Sequence, residues 1–152
     1  DWHAKVQDQL MFTRKITNIW GDERFYFDRV EGILPEAIAW IAQSGTACVT
    51  NRAAVNFDAW RSVLAGFAKE EDFPGDILSA SKLLVEMDGE LLLQVHDELV
   101  FQFPQMYAVP VLQTARPIVH IKVPYEDPLV IPWGLKTSRK SWGQCEKRDW
   151  PS

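Results

Sequence analysis

Cysteine is nearly absent from this chain: Cys48 and Cys145 are its only two, far apart in sequence and without His or Cys nearby at ligand spacing. That argues against a disulfide framework and a cysteine-based zinc site, and makes a reducing, intracellular setting the expectation. An excess of positive charge is missing too. Lys and Arg number 16 against 21 Asp and Glu, a net charge of −5, so no global field steers the chain onto nucleic acid and any such contact must come from a local patch. No run reaches the roughly 18 apolar residues that a membrane span needs. The opening, Asp1-Trp-His-Ala-Lys5, has neither the charged nor the apolar region of a signal peptide, and its lack of an initiator Met suggests a fragment or a processed product. Internal repeats and low-complexity tracts are also lacking. What is present is a globular composition, 47% hydrophobic and 24% charged, in 152 residues, a length that fits one compact domain over residues 1–152.

The pattern along the chain predicts an α+β fold. Val6, Leu10, Met11 and Ile16 recur at helical spacing from Asp1, a candidate N-cap, to about Asn18. Two aromatic and β-branched runs follow, Ile16 to Trp20 and Arg24 to Phe27, and read as a hairpin across Gly21-Asp-Glu23. Pro35 suits a first helical turn, and Ile38, Ile41, Gly45 and Cys48 continue a long helix from it, with Trp60 to Phe67 extending the pattern. Phe73-Pro-Gly75 breaks it, and Asp76 can cap a short helix carrying Ile77, Ala80 and Leu84. Two apolar runs, Leu91 to Val95 and Leu99 to Phe103, then flank His96-Asp-Glu98, placing three polar residues at the tip of a buried hairpin. Pro110 and Pro117 restrict the helix expected beyond Pro104, and Ile118 to Val123 reads as a strand. The tail, 124–152, carries four of the nine prolines and is expected to run extended.

Chemistry concentrates in Leu93-Gln-Val-His-Asp-Glu-Leu-Val100. Apolar strands on either side of an acidic pair hold carboxylates at a sheet end, which suits a hard Mg²⁺ ion that keeps water and takes phosphate oxygens into its shell. Asp97 and Glu98 are the candidate metal ligands; an ordinary polar β-turn accounts for the same spacing equally well. A hydrolase triad of Ser44, His96 and Asp97 lacks the Gly-x-Ser-x-Gly elbow. His3 and His120 read as terminal and strand-edge residues, and most of the seven Trp as packing anchors.

Gln94-Val-His-Asp-Glu-Leu-Val100 resembles motif C in the palm of family A DNA polymerases. The resemblance implies that Asp97 binds the catalytic metal ions, that Glu98 lies beside them and that His96 approaches the primer terminus. Pro35-Glu-Ala-Ile-Ala-Trp-Ile-Ala-Gln-Ser44 resembles the palm helix of phage-like members, which write a Pro-Glu-Ala-aromatic-Gln-Ser pattern and use its Gln on the minor-groove side of the primer-template. That role falls to Gln43; the alternative is a helix residue whose amide bonds nearby backbone. Thr17 to Arg29 resembles the family's Gly-Arg-Arg-Arg hairpin, but Asp22 and Glu23 stand where basic residues are usual, leaving Arg24 and Arg29 to meet phosphates or else to pair with Asp28 or Glu31. Val123-Pro-Tyr-Glu-Asp-Pro, Trp133-Gly and Ser141-Trp-Gly143 are similar to the closing segment, so the ordered matches cover about Trp2 to Gly143.

The family's other metal-binding Asp, in motif A, and its nucleotide-gripping motif B are not recognisable and would precede Asp1. The resemblance therefore implies the C-terminal palm portion of a DNA-directed DNA polymerase, as one subunit of a split enzyme or as a cut fragment. Its implied partners are a polypeptide carrying the remaining motifs, primer-template DNA and a dNTP, with Mg²⁺ as cofactor and no membrane. The rival readings are a non-catalytic DNA- or protein-binding module derived from the palm, and a metal-dependent nuclease using the same carboxylates.

Overall fold

The computed structural model describes residues 1–152, and the chain forms an α+β fold of five α-helices and short hairpins. It divides into two compact units, Asp1–Val49 with Val123–Leu129 and Thr50–Lys122 with Val130–Ser152. Each has its own core.

In the first unit, helix α1 (Trp2–Thr13) is capped as expected, the Asp1 carboxylate accepting from the His3 amide at 3.2 Å. It ends short of Asn18 because Arg14 turns left-handed, at φ 56°, and returns its N–H to the Leu10 carbonyl. The chain then reverses through β1 (Lys15–Thr17) and β2 (Glu23–Phe25), the expected hairpin in shorter form, with Ile16 opposite Arg24. Buried Asn18 closes its loop, its Oδ1 accepting from the Trp20 and Asp22 amides.

Helix α2 (Val30–Phe57) starts earlier than Pro35, which lies inside it and not at its first turn. The Arg29 carbonyl accepts from Gly32 and Ile33, so one turn forms ahead of the proline. Val6, Leu10, Ile16, Tyr26, Val30, Ile33 and Ala37 are buried together as the core of this unit. They come from the helix, the hairpin and the start of α2, which is why three short elements close on one another.

The second unit continues α2 into α3 (Ala59–Leu64) and α4 (Gly75–Glu86). Asp76 does not cap α4; Pro74 holds the N-cap place and Asp76 sits in the first turn, where its charge still suits the helix dipole. Ser81, fully buried, donates to the Phe57 carbonyl and accepts from the Trp60 amide, both at 2.9 Å, joining α4 to the α2–α3 corner.

After a left-handed Asp88 come β3 (Glu90–Val95) and β4 (Glu98–Gln102), paired antiparallel with Val95 opposite Glu98. A bulge at Leu92 shifts the register, two residues of β3 facing one step of β4. Helix α5 (Ala108–Val119) runs through both prolines that were expected to restrict it. Pro110 lies in the first turn, where an N–H has no helical acceptor anyway, and Pro117 lies in the last. Ile118 and Val119 belong to this helix, so the strand expected over 118–123 shrinks to β5 (Lys122–Val123).

The tail contains β6 (Leu129–Val130) and a hairpin of β7 (Leu135–Thr137) with β8 (Glu146–Arg148), separated by a 3₁₀ turn, so it is less extended than expected. Phe57, Leu84, Val111, Ala115 and Ile118 form the second core, with Leu91, Phe101 and Phe103 packed on it. Phe57 and Phe101 meet at 5.1 Å between ring centroids, tilted by 47°. No helix is long and apolar enough to cross a membrane.

Candidate functional site

The β3–β4 hairpin turns in two residues, His96 and Asp97. His96 takes a left-handed φ of 52°, a conformation that costs a residue with a Cβ about 1–2 kcal/mol. That geometry lets Val95 and Glu98 face each other across the ladder, so Glu98 is the first residue of β4 and not a third member of the turn. His96, Asp97 and Glu98 are all exposed, and Leu92 and Leu93 expose 48% and 40% of their surface. The expectation of a buried hairpin is therefore corrected: the hairpin packs through Leu91 and Phe101 near its base, while its outer half stands in solvent.

Two contacts that local sequence does not signal fix this tip. Gln94 donates its amide to Asn51 Oδ1 at 2.9 Å, reaching α2, and also to the His96 carbonyl at 3.3 Å. Lys136, on β7, pairs through Nζ with Glu98 Oε1 at 3.0 Å. Asp97 makes no hydrogen bond or ion pair within the chain. A tip with one carboxylate uncommitted and a second on a lysine has the kind of oxygen donors that Mg²⁺ takes, since that ion is usually held by one or two carboxylates with water and phosphate filling the rest. Nowhere do three or more His, Cys, Asp or Glu side chains gather as a metal-holding group. The residues fit a one-sided site only.

The remaining candidates lie in the first unit. Gln43 is exposed on α2, and its amide bonds no backbone group, unlike the alternative read from the sequence. Arg24 pairs with Glu36 and lies 5.1 Å from the Tyr26 ring, so its partner is neither Asp28 nor Glu31. Arg29 is exposed and its guanidinium pairs with neither of them. It lies beside Met11, Arg14, Val30 and Glu31 in a shallow depression.

The two acidic residues of this hairpin are engaged locally. Glu23 pairs with Lys15 at 2.5 Å, and Asp22 accepts from Asn18 Nδ2 at 3.0 Å and from the Cys48 thiol at 2.8 Å. Arg14 donates to the Asp28 carbonyl at 2.8 Å. The hairpin's cations thus face acidic or carbonyl oxygens of the same unit, with Arg29 the exception. Beneath them the Tyr26 hydroxyl is buried without a hydrogen-bond partner. Its pKa is raised, first by burial and further by the charge of Glu36, with Arg24 acting in the opposite sense.

Comparison of the chain with protein-family models, with curated protein sequences and with solved structures finds no match.

Proposed function

We propose that this chain supplies the motif C carboxylate of a DNA-directed DNA polymerase of the family A type, as the C-terminal part of the palm. One observation carries the reading: the segment Gln94-Val-His-Asp-Glu-Leu-Val100, which resembles that motif, forms a tight hairpin with Asp97 exposed and uncommitted at its turn.

In the proposed assembly Asp97 and Glu98 would hold Mg²⁺, which when bound lowers the charge barrier to attack of a primer hydroxyl on the nucleotide's α-phosphate. Asp97 offers both carboxylate oxygens, and Glu98 contributes the oxygen not held by Lys136. His96 positions the primer end, and the uncommitted Gln43 amide donates and accepts in the minor groove of the primer-template. The opposing carboxylate and the grip on the dNTP come from a polypeptide carrying motifs A and B.

The test is Mg²⁺-dependent primer extension by the assembly that copurifies with this chain. Asp97→Ala is expected to cut incorporation by about 10³-fold or more, since a metal ligand supplies several kcal/mol at the transition state, while the thermal unfolding midpoint stays within a degree or two, as expected of an exposed turn residue. Unchanged incorporation would remove Asp97 from the reaction. A second reading, a non-catalytic module derived from the palm, is favoured by the Lys15–Glu23 and Arg24–Glu36 pairs, which commit cations that a DNA-binding hairpin would turn to phosphate.

A further inference from the structure

The tail hairpin brings a lysine to the proposed catalytic tip. Leu135, 6% exposed, anchors β7 in the second unit, and the Trp150 indole donates to the Trp133 carbonyl at 2.8 Å, tying the far side of the hairpin to the residues just before β7. Alternation along the strand then turns Lys136 away from the side that Leu135 buries. Directly across the ladder from Lys136 stands Lys147. Two like charges at facing ladder positions repel, so the Lys136 ammonium gains by leaning elsewhere. It meets Glu98 Oε1 at 3.0 Å, one residue from Asp97.

We propose that Lys136 is a positioning residue that acts as a tethered counter-ion at the Asp97–Glu98 tip, holding Glu98 in place and competing with a divalent cation for its carboxylate. This rests on the reading of Asp97 and Glu98 as a cation site and adds the control of that site. With Lys136 present, the charges of Asp97, Glu98 and Lys136 sum to −1; without it, the tip carries −2 and attracts a divalent cation more strongly. Both members of the pair are substantially exposed, so solvent screens them and the effect is moderate. A polymerase gains from such moderation. A cation held too firmly by one carboxylate pair would be retained between turnovers, whereas an ammonium poised on Glu98 offers a ready replacement when the cation leaves.

The test is Mn²⁺ titration of the ¹⁵N-labelled full chain, reading paramagnetic broadening of the His96, Asp97 and Glu98 amides. Lys136→Met keeps most of the aliphatic stem and is expected to lower the Mn²⁺ midpoint by roughly two- to fivefold, the range that an exposed ion pair supports. Lys136→Arg keeps the charge and should restore the wild-type midpoint. Thermal unfolding of each variant establishes that the hairpin is retained. Broadening of the three amides at an unchanged or higher midpoint in Lys136→Met would overturn the role of Lys136 while leaving the cation site standing. Broadening at none of these amides, in wild type or variants, would overturn the cation site and the lysine's role together.

Discussion

His96 occupies its left-handed conformation at an energetic cost that glycine would not incur. His96→Gly should therefore raise stability by about 0.5–1 kcal/mol, the relief of strain being partly offset by the greater entropy of glycine in the unfolded chain. A urea unfolding curve of the two chains measures it, and a less stable variant would mean that the imidazole makes a compensating contact. The segment around it was legible as a motif because its neighbours share one strand-turn-strand run. Its backbone strain was not, since nothing in the residue order of Val95-His-Asp-Glu98 says which of the two turn residues takes the positive φ. The same limit hid the uncommitted state of Gln43 and the pairing of Arg24 with Glu36, which depend on where α2 begins and which of its residues face the hairpin.

Helices and hairpins were legible to the extent that their signals were local. The Asp1 cap, the first hairpin and the β3–β4 pair all formed where alternation, turn residues and capping chemistry put them. Proline misled at α2 and α5. It acts on the backbone through a missing N–H, and the damage depends on its position from the helix start, which tertiary packing sets: the Val30 and Ile33 side chains, buried in the first core, extend α2 ahead of Pro35. Long-range clasps left no local trace at all. Ser81 is the clearest of them, an unremarkable polar residue in an amphipathic stretch that bonds residues 24 and 21 positions away. Ser81→Ala leaves a buried carbonyl and a part-buried amide without their partner, and should cost about 1–3 kcal/mol in a urea or thermal unfolding measurement. A loss below about 0.5 kcal/mol would show that the α2–α3 corner relaxes to bond elsewhere.

Stability against pH is a property of the folded molecule as a whole, and Tyr26 contributes to its alkaline limb. A raised phenol pKa means that the folded state prefers the neutral hydroxyl. Its contribution is complete below the unfolded value of about 10 and is lost as pH rises through the folded one. Rising pH also adds negative charge to a chain already at −5, so both effects act in the same direction. Tyr26→Phe removes a buried hydroxyl that has no partner, and is expected to match or slightly exceed the wild type at pH 7 while losing less stability between pH 9 and 11. Urea midpoints across that range test it; parallel curves would assign the alkaline limb to another group. The class of the fold was legible from composition and periodicity, but the division into two units was not, because it is written in contacts between distant stretches. Neither unit is a continuous length of chain. The first takes Asp1–Val49 and returns for Val123–Leu129, and the second is interrupted in its turn by those seven residues. During synthesis the residues of the first core, Val6 to Ala37, are therefore made well ahead of a strand, containing buried Val123, that follows about three-quarters of the second unit. No single cut divides this protein into two self-sufficient pieces: a cut after Val49 leaves the second unit whole but parts the first from Val123–Leu129, and deletion from the C-terminal end past Val123 damages both units.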